Sequence, residues 1–271
     1  MIRNAPLWLK VLVPTSVLAV AVGLTSFVVL TRKLAPGDSA AHVEGQPIGY
    51  EDGWTLAFSD EFDGSSVDRS KWTDESSAEA DRGHGNPDNG QLEWNQFDNC
   101  SVSGGELTMT ARRERFEEYE WTSCLLTSTP AFAFQYGYIE ERAIFPAAKG
   151  FWPAFWTWQA PEVDHPVETD VYEFYSTRRD EIHFTQRTGG ETGCRWRPTF
   201  DPTSGFHTYG VAIEPTGTTW YVDGVKVCQS DKTSDGATNI ITNLAVYADD
   251  RPANSTNSAT KRVDYIRAYT R

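Results

Sequence analysis

The chain has 271 residues, of which 39% are hydrophobic and 13% are aromatic. This is enough apolar material for one large domain with a sizeable core, or for two small domains. The formal net charge is −14 at pH 7, and a field of this sign disfavours nucleic acids, anionic lipids and polyanionic substrates as partners. The composition therefore excludes nucleic-acid binding and favours a neutral partner.

The first 33 residues differ in composition from the rest of the chain, because they carry four basic and no acidic side chains. Residues 11–30 form an uncharged stretch of 20 residues, long enough to cross a bilayer as a helix. A cleaved signal peptide usually has a shorter apolar region. Residues 1–33 are therefore predicted to be a signal anchor, with a cleaved signal peptide as the alternative. In both cases the rest is expected to be extracellular, either secreted or anchored to the outer face of the cell membrane.

Beyond this segment, residues 34–50 are small, polar and interrupted by proline, as expected of a linker. Residues 51–271 consist of short alternating runs separated by turn signals, of which Gly104-Gly105 and Asp223-Gly224 are two-residue hairpin turns. The predicted strands are 54–62, 97–103, 106–113, 121–127, 136–145, 151–158, 167–175, 181–187, 207–214, 217–223, 225–229, 240–248 and 262–270. The longest predicted loops are 74–90, 188–205, 230–239 and 249–259. This pattern is typical of an all-β sandwich or barrel.

The four cysteines are Cys100, Cys124, Cys194 and Cys228. An even number of cysteines in an exported domain indicates two disulfides, and four cysteines allow three different pairings. The sequential pairing closes the shorter loops and is preferred. The spacing does not include a Cys-x-x-Cys pair, so neither a zinc site nor a redox site is indicated.

Residues 167–175 place three carboxylates among β-branched and aromatic residues, a composition that predicts a strand. Strict alternation would put Glu168 and Asp170 on one face and Glu173 on the other. One extra residue, a β-bulge, would return Glu173 to the face of the other two acids. Three carboxylates on one face repel each other and lose hydration, so a protein rarely builds this arrangement for stability alone.

Such a cluster suits the cleavage of a glycosidic bond. This reaction needs an ionised carboxyl group on one side of the bond and a protonated carboxyl group on the other. Glu168 and Glu173 are predicted to be this pair, at the spacing of a retaining enzyme. The shorter Asp170 would lie between them and hold their pKa values apart. The other interpretation of an isolated Glu-x-Asp-x-x-Glu pattern is a solvated strand face on which acids occur by chance.

An aromatic run, residues 150–158, lies just before the carboxylates. Alternation places Trp152, Trp156 and Trp158 on one face of the predicted strand and Phe151 and Phe155 on the other. The two phenylalanines are predicted to lie in the core, which is the usual place for an aromatic side chain. Trp152 and Trp156 are predicted to line a cleft beside the acids and to stack on sugar rings.

With these segments in place, the sequence resembles glycoside hydrolase family 16, in particular its laminarinase-like branch of endo-β-1,3-glucanases. The resemblance covers about residues 54–271, and its motifs occur in the order of that family. The motifs are Phe58-Ser59-Asp60-Glu61-Phe62-Asp63, Tyr136-Gly137-Tyr138-Ile139-Glu140-Glu141-Arg142-Ala143, Gly150 to Trp156, Glu168-Thr169-Asp170-Val171-Tyr172-Glu173, His207-Thr208-Tyr209, Trp220-Tyr221-Val222-Asp223-Gly224 and Val263-Asp264-Tyr265-Ile266-Arg267.

The resemblance implies a β-jelly-roll sandwich of two curved antiparallel sheets with an open cleft. It implies a retaining endo-glycosidase acting on β-1,3- or mixed β-1,3/1,4-glucan. Glu168 would be the nucleophile, Glu173 the general acid/base and Asp170 the residue that supports the nucleophile. No cofactor for catalysis is implied, and the chain is expected to act as a monomer on a neutral β-glucan.

The resemblance also suggests residues outside the acidic strand. Arg142 and Asn89 lie in motifs that resemble sugar-contacting segments of the family. By its position on the strand after the acids, His183 would face the same groove, although a single histidine is more often structural. Many relatives carry a structural calcium on the convex side, and the matching positions here are Glu61, the backbone of Gly105, and Asp264. Oxygen ligands suit calcium, although a carboxylate near each chain end would equally form a surface pair.

Two departures from the family pattern bear on the substrate. Asp164-His165-Pro166-Val167 stands where laminarinases often have Trp-Pro and an adjoining glycine, so one platform of the groove is expected to be missing. The segment Asn89 to Glu93 is also altered. Two same-fold alternatives remain open, a galactanase and a transglycosylase. A non-catalytic β-glucan-binding surface protein is the alternative of another class, and the intact carboxylate trio speaks against it.

Overall fold

A computed structural model describes residues 45–78, 81–160 and 166–271 of the chain. Within these ranges the regular structure consists of strands and of three short 3-10 helices, Asp81–Gly83, Pro87–Asn89 and Phe97–Asn99. The strands are β1 (Thr55–Asp60), β2 (Glu93–Asn95), β3 (Cys100–Ser103), β4 (Glu106–Arg112), β5 (Trp121–Ser123), β6 (Leu125–Thr127), β7 (Gly137–Ile144), β8 (Phe151–Gln159), β9 (Glu168–Glu173), β10 (Ile182–Gln186), β11 (Thr192–Trp196), β12 (His207–Glu214), β13 (Gly217–Val222), β14 (Val225–Ser230), β15 (Thr238–Val246) and β16 (Ser258–Thr270). The prediction of an all-β domain is confirmed.

The strands form two sheets. One sheet runs in the order β14-β13-β12-β7-β16-β4-β5-β2, with β1 added on β16 and β3 on β4. The other runs in the order β11-β10-β9-β8-β15-β6. The named strands pair in an antiparallel manner except for β2 and β5, which are parallel. Strands β8 and β9, which carry the tryptophans and the acids, therefore lie side by side in the middle of the smaller sheet.

A core of aliphatic and aromatic side chains fills the space between the sheets. Strand β4 shows how the sequence produces it, because Leu107, Met109 and Ala111 alternate with polar residues and are completely buried. On β8, Phe151 and Phe155 are 1% and 0% exposed, as predicted. The opposite face of β8 is consequently available to a ligand.

A buried ion pair crosses this core. Lys261 Nζ of β16 lies 3.1 Å from Glu141 Oε2 of β7, and both side chains are 0% exposed. The lysine also donates to the carbonyl oxygen of Ala154 at 3.0 Å, on β8 of the smaller sheet, and the Tyr172 hydroxyl of β9 donates to Glu141. Burial lowers the pKa of Lys261 to about 8, against the opposing effect of Glu141. The polar network thus connects the larger sheet to the core-facing sides of β8 and β9.

Both disulfides have the predicted sequential pairing. Cys100–Cys124 joins the start of β3 to the residue between β5 and β6, and Cys194–Cys228 joins β11 to β14. The second bond connects edge strands of the two sheets. All four cysteines are bonded.

Several strand predictions needed correction. The predicted strand 121–127 is two strands, β5 and β6, which belong to different sheets and separate at Cys124. The predicted loop 188–205 contains the edge strand β11, and β2 was not predicted. Strand β16 begins at Ser258, four residues before its predicted start at residue 262.

The N-terminal predictions fall mostly outside the described residues. The signal anchor or signal peptide at 1–33 and the first part of the linker 34–50 lie there, whereas residues 45–50 pack on the domain. The Gln46 side chain donates to the Trp54 carbonyl at 2.9 Å and accepts from its backbone N–H at 3.1 Å. The Tyr50 ring lies 5.4 Å from that of Tyr138. Among the described residues, no helix has the length and apolar character needed to cross a membrane.

Candidate active site

The predicted bulge in the acidic strand is present. On β8, Phe155 pairs with Tyr172 and the next residue, Trp156, pairs with Asp170, so Val171 is the extra residue. On the other side, His183 of β10 pairs with Glu173 and Thr185 pairs with Asp170, which shows the same irregularity. The extra residue changes the phase of the strand, and Glu168, Asp170 and Glu173 all line one cavity.

The core holds the bulge from behind. The extra residue, Val171, and its neighbour Tyr172 are completely buried between the sheets. Trp220 of β13, in the other sheet, donates its indole N–H to the carbonyl oxygen of Asp170 at 2.8 Å. This bond satisfies a backbone group in the irregular part of the strand. The position of the acids is therefore fixed by packing in both sheets.

The cavity has a volume of about 340 Å³ and is lined by both polar and aromatic side chains. Strand β8 contributes Trp152, Trp156 and Trp158, all half-buried, and β15 contributes Asn243. The indole N–H of Trp156 donates to Asn243 Oδ1 at 3.1 Å, which fixes the orientation of that ring. The two tryptophans predicted as platforms thus lie beside the acids, and Trp158 extends the same row.

The three carboxyl groups are poorly hydrated. The side chains of Glu168, Asp170 and Glu173 are 17%, 5% and 8% exposed, and burial raises the pKa of each above its ordinary value. The increase is greatest for Asp170, because both glutamates add their negative charges to the effect of burial. Of the three acids, Asp170 therefore favours its protonated form most strongly.

Glu173 has its own set of partners. The Tyr175 hydroxyl donates to Glu173 Oε1 at 3.0 Å, and the Tyr175 ring stacks on Trp152 with the ring centres 5.0 Å apart. His183 faces Glu173 across β10 and β9 and contacts Glu181 Oε1 at 3.0 Å through Nε2. Burial raises the pKa of Glu173, while Tyr175, Arg187 and His183 oppose the increase.

Arg187, directly after β10, is a site residue that the sequence analysis missed. Its Nε lies 2.9 Å from Glu168 Oε1 and 3.5 Å from Asp170 Oδ2, and its Nη2 lies 3.9 Å from Glu173 Oε2. Its backbone N–H donates to the Glu168 carbonyl at 3.0 Å. A signal existed, because period-two alternation from His183 through Thr185 places residue 187 on the face of the acids.

A second missed residue, Glu93, fixes the loop that borders the cavity. Its carboxylate accepts the backbone N–H groups of Leu92 and Val246 at 3.1 and 2.8 Å. Full burial raises the pKa of Glu93 to about 7, although these two bonds oppose the increase. The bonds attach the loop containing Asn89 and Gln91, both of which line the cavity, to the end of β15.

The remaining predicted sugar contacts occupy different places. Asn89 is exposed and lines the cavity, at the end of a short 3-10 helix. Arg142, in contrast, belongs to β7 of the larger sheet, and its Nη1 lies 2.8 Å from Asp264 Oδ2 with the guanidinium over the Phe206 ring. The cavity lies on the smaller sheet, so the geometry gives no basis for a sugar contact by Arg142.

The structure does not confirm the predicted calcium site. The Glu61 carboxylate forms two bonds with Arg267, at 2.9 and 2.8 Å, and Asp264 is paired with Arg142. Arginine partners neutralise both carboxylates, whereas a calcium site needs several oxygen ligands directed at the ion. Gly105 lies in the turn between β3 and β4. Within residues 45–78, 81–160 and 166–271, no three or more His, Cys, Asp or Glu side chains are grouped to hold a metal.

Buried carboxyl groups of unequal acidity in an open cavity are the arrangement that glycosyl hydrolases use. The model of the family described as glycosyl hydrolases family 16 matches residues 87–267, more than half of the 271-residue chain. The chain therefore belongs to glycosyl hydrolases family 16.

Two curated relatives are similar to the catalytic part of the chain. Endo-1,3-1,4-beta-glycanase EglC of Rhizobium meliloti (strain 1021) is 33% identical over an alignment of 188 residues, which covers 62% of this chain and 39% of EglC. The beta-glucanase of Rhodothermus marinus is 31% identical over an alignment of 184 residues, which covers 63% of each chain. The chain thus matches less than two thirds of the length of these relatives.

Solved structures show the same architecture. The laminarinase catalytic domain from Thermotoga maritima MSB8 superposes with a TM-score of 0.72 at 27% identity, covering 81% of this chain and 99% of that one. The endo-beta-1,3-glucanase from Pyrococcus furiosus superposes with a TM-score of 0.70 at 29% identity, covering 80% and 94%. The predicted β-jelly-roll sandwich is confirmed.

Proposed function

We propose that the domain is a retaining endo-glycosidase that hydrolyses β-1,3- or mixed β-1,3/1,4-glucan by double displacement. The observation that carries the proposal is the bulged strand, which places Glu168, Asp170 and Glu173 in one cavity beneath the tryptophans of β8. A binding protein needs only the platforms and hydrogen bonds. Three buried, mutually repelling acids make sense when two of them react with the sugar.

In the first step, ionised Glu168 attacks the anomeric carbon, and the bond between that carbon and the glycosidic oxygen breaks. Glu173 gives its proton to the departing oxygen at the same time, which leaves a glycosyl ester on Glu168 and an ionised Glu173. In the second step, Glu173 removes a proton from water as the water attacks the anomeric carbon. The ester bond breaks and both carboxyl groups return to their starting states.

The two glutamates need different protonation states, and their neighbours supply the difference. Burial and the two glutamates favour the protonated form of Asp170, and a protonated neighbour adds no negative charge that would oppose ionisation of the nucleophile Glu168. Glu173 is 8% exposed, and burial favours its protonated form. The carboxyl groups supply both the nucleophile and the proton, so the reaction needs no cofactor.

The choice of a β-glucan is supported by charge and by similarity. A chain with a net charge of −14 repels anionic polysaccharides, whereas the tryptophan row suits the apolar faces of neutral sugar rings. The names of the similar proteins point to the same class, since they are a 1,3-1,4-beta-glycanase, a beta-glucanase, a laminarinase and an endo-beta-1,3-glucanase. The open cavity is compatible with attack inside a long chain.

A digestion panel tests this assignment. Laminarin, lichenan, agarose and xyloglucan are incubated with the protein, and the products are sized by chromatography. We expect laminarin or lichenan to give a series of short oligosaccharides. Products from agarose alone would favour the galactanase, and longer chains than those supplied would favour the transglycosylase. Binding to glucan without any product would support the non-catalytic alternative and contradict the proposal.

We further propose that the domain works as a monomer outside the cell, secreted or held on the outer face of the membrane by residues 1–33. Support comes from the two disulfides, which persist in oxidising compartments, and from the uncharged 20-residue stretch. Fractionation of cells that express the full chain tests this. Recovery in the reducing cytoplasm would contradict it.

A further inference from the structure

Arg187 lies among the three acids, and the role inferred for it rests on the proposed function. Its guanidinium contacts all three acids of β9, and its shortest contact to them is the 2.9 Å bond from Nε to Glu168 Oε1. On the solvent side, Nη1 lies 2.6 Å from Glu191 Oε2, four residues along the chain. The arginine is therefore held between the acids and the turn before β11.

The contacts are unequal, and the inequality has a chemical use. Burial acts on Glu168 and Glu173 in the same direction, so burial alone does not decide which of them is ionised. The guanidinium lies 2.9 Å from Glu168 but 3.9 Å from Glu173. A positive charge favours the ionised form of the nearest acid most strongly. Arg187 therefore breaks the symmetry between the two glutamates.

We propose that Arg187 is a positioning residue that holds the Glu168 carboxylate ionised and directed into the cavity, with Glu191 fixing the guanidinium from outside. It acts through Glu168 and takes no part in bond breaking. Because the same guanidinium also reaches Asp170 and Glu173, it limits the repulsion that would otherwise push the three carboxyl groups apart.

The other ionisable groups around the site do not replace this charge. Tyr175 and His183 lie on the side of Glu173, and His183 is engaged by Glu181. Glu191 adds a negative charge. The neighbouring strands β8 and β15 contain no ionisable residue in their sequences. Among the described residues that line the cavity, Arg187 supplies the positive charge that faces Glu168.

The test is the pH dependence of kcat/KM for the wild-type chain and for Arg187→Met. Loss of the positive charge raises the pKa of Glu168, so the acid limb of the profile is expected to move up by about one pH unit. The loss of kcat/KM relative to the wild type is then expected to be about tenfold larger at a pH below that limb than at the pH optimum. Arg187→Lys keeps the charge, so its acid limb is expected to lie close to the pH of the wild-type limb. Its kcat stays reduced because an ammonium group lacks the planar fork.

Arg262→Met is the matched control. This arginine forms an exposed pair with Glu106, at 2.6 Å, in the larger sheet, so its loss removes one positive charge away from the cavity. The acid limb of Arg262→Met is expected to match that of the wild type. Arg187 is 36% exposed, and its replacement is expected to leave a folded protein. Arg187→Gln provides a second variant if Arg187→Met does not fold. An unchanged acid limb in the active Arg187 variants would overturn the proposal.

A measurement without substrate separates this proposal from the proposed function. The side-chain carboxyl carbons of glutamate and aspartate are labelled with ¹³C, and their signals are followed through a pH titration. We expect the signals of the acidic trio to titrate at higher pH in Arg187→Met than in the wild type. If the wild type cleaves no glucan, the proposed function fails and the titration still decides the role of Arg187. Identical titrations would overturn that role even in an active enzyme.

Discussion

Replacement of Glu168 by alanine is expected to lower kcat on laminarin or lichenan by a factor on the order of 10⁴ or more, because no group remains to attack the anomeric carbon. Folding is expected to survive, since the substitution removes one of three mutually repelling acids at the start of β9. Binding to the glucan should also remain, because the tryptophan row is unchanged. The measurements are kcat by reducing-sugar release, and affinity by calorimetry.

Azide supplies a control that is specific to the nucleophile. In Glu168→Ala the space left by the carboxylate admits azide on the face opposite the leaving group. With an activated aryl β-glycoside of a glucose disaccharide, the expected product is the α-glycosyl azide, formed by a single inversion. A β-glycosyl azide, or turnover that survives without azide, would contradict the assignment of Glu168.

Replacement of Glu173 by alanine is the second large effect. The glycosidic oxygen of a glucan is a poor leaving group without a proton, so kcat on the natural polymer is expected to fall by roughly 10²- to 10⁴-fold. An aryl glycoside with an acidic phenol needs no protonation in the first step. Its glycosyl ester is therefore expected to form rapidly and to accumulate, giving a burst of phenol that the steady-state rate does not match.

The same reagent distinguishes the two glutamates. In Glu173→Ala, azide replaces water in the second step and attacks the ester on Glu168, so the product should be the β-glycosyl azide after two inversions. Glu173→Gln, which preserves the shape of the side chain, serves as the control for packing. If Glu173→Ala gives no burst with the aryl glycoside, and its activity on that substrate falls as far as its activity on glucan, Glu173 is not the general acid.

The sequence predicted the part of the site that depends on the local pattern. The spacing of Glu168, Asp170 and Glu173 lets the three acids share a face only if the strand contains an extra residue, and Val171 is that residue. The alternation in residues 150–158 similarly separated the core phenylalanines from the tryptophans of the cavity. In both cases the side-chain period of a strand determines the result.

What the sequence did not predict depends on which sheet a strand joins. Arg142 lies on a strand with ordinary alternation, and the pattern does not reveal that this strand belongs to the sheet away from the cavity. The run 121–127 is continuous in sequence, although Cys124 separates strands of different sheets. Strand β11 was missed because it is a half-exposed edge strand with a Thr-Gly-Cys-Arg-Trp sequence and little apolar alternation.

Arg187 shows a further limit. Its position after β10 follows from period-two alternation, but its importance comes from three carboxylates on the neighbouring strand. A single arginine in a sequence is most often a solvated surface residue. The antiparallel register of β9 and β10 reveals its importance, because it places residue 187 opposite Glu168.

In the proposed mechanism, Glu168 and Glu173 act on the two faces of one sugar in two successive displacements. Proton NMR of the sugar anomers in the first minutes of glucan hydrolysis by the wild-type protein tests it most directly, before mutarotation mixes them. Two inversions preserve the configuration, so the newly released reducing end is predicted to be the β anomer. Initial release of the α anomer would mean a single displacement by water and would contradict the account.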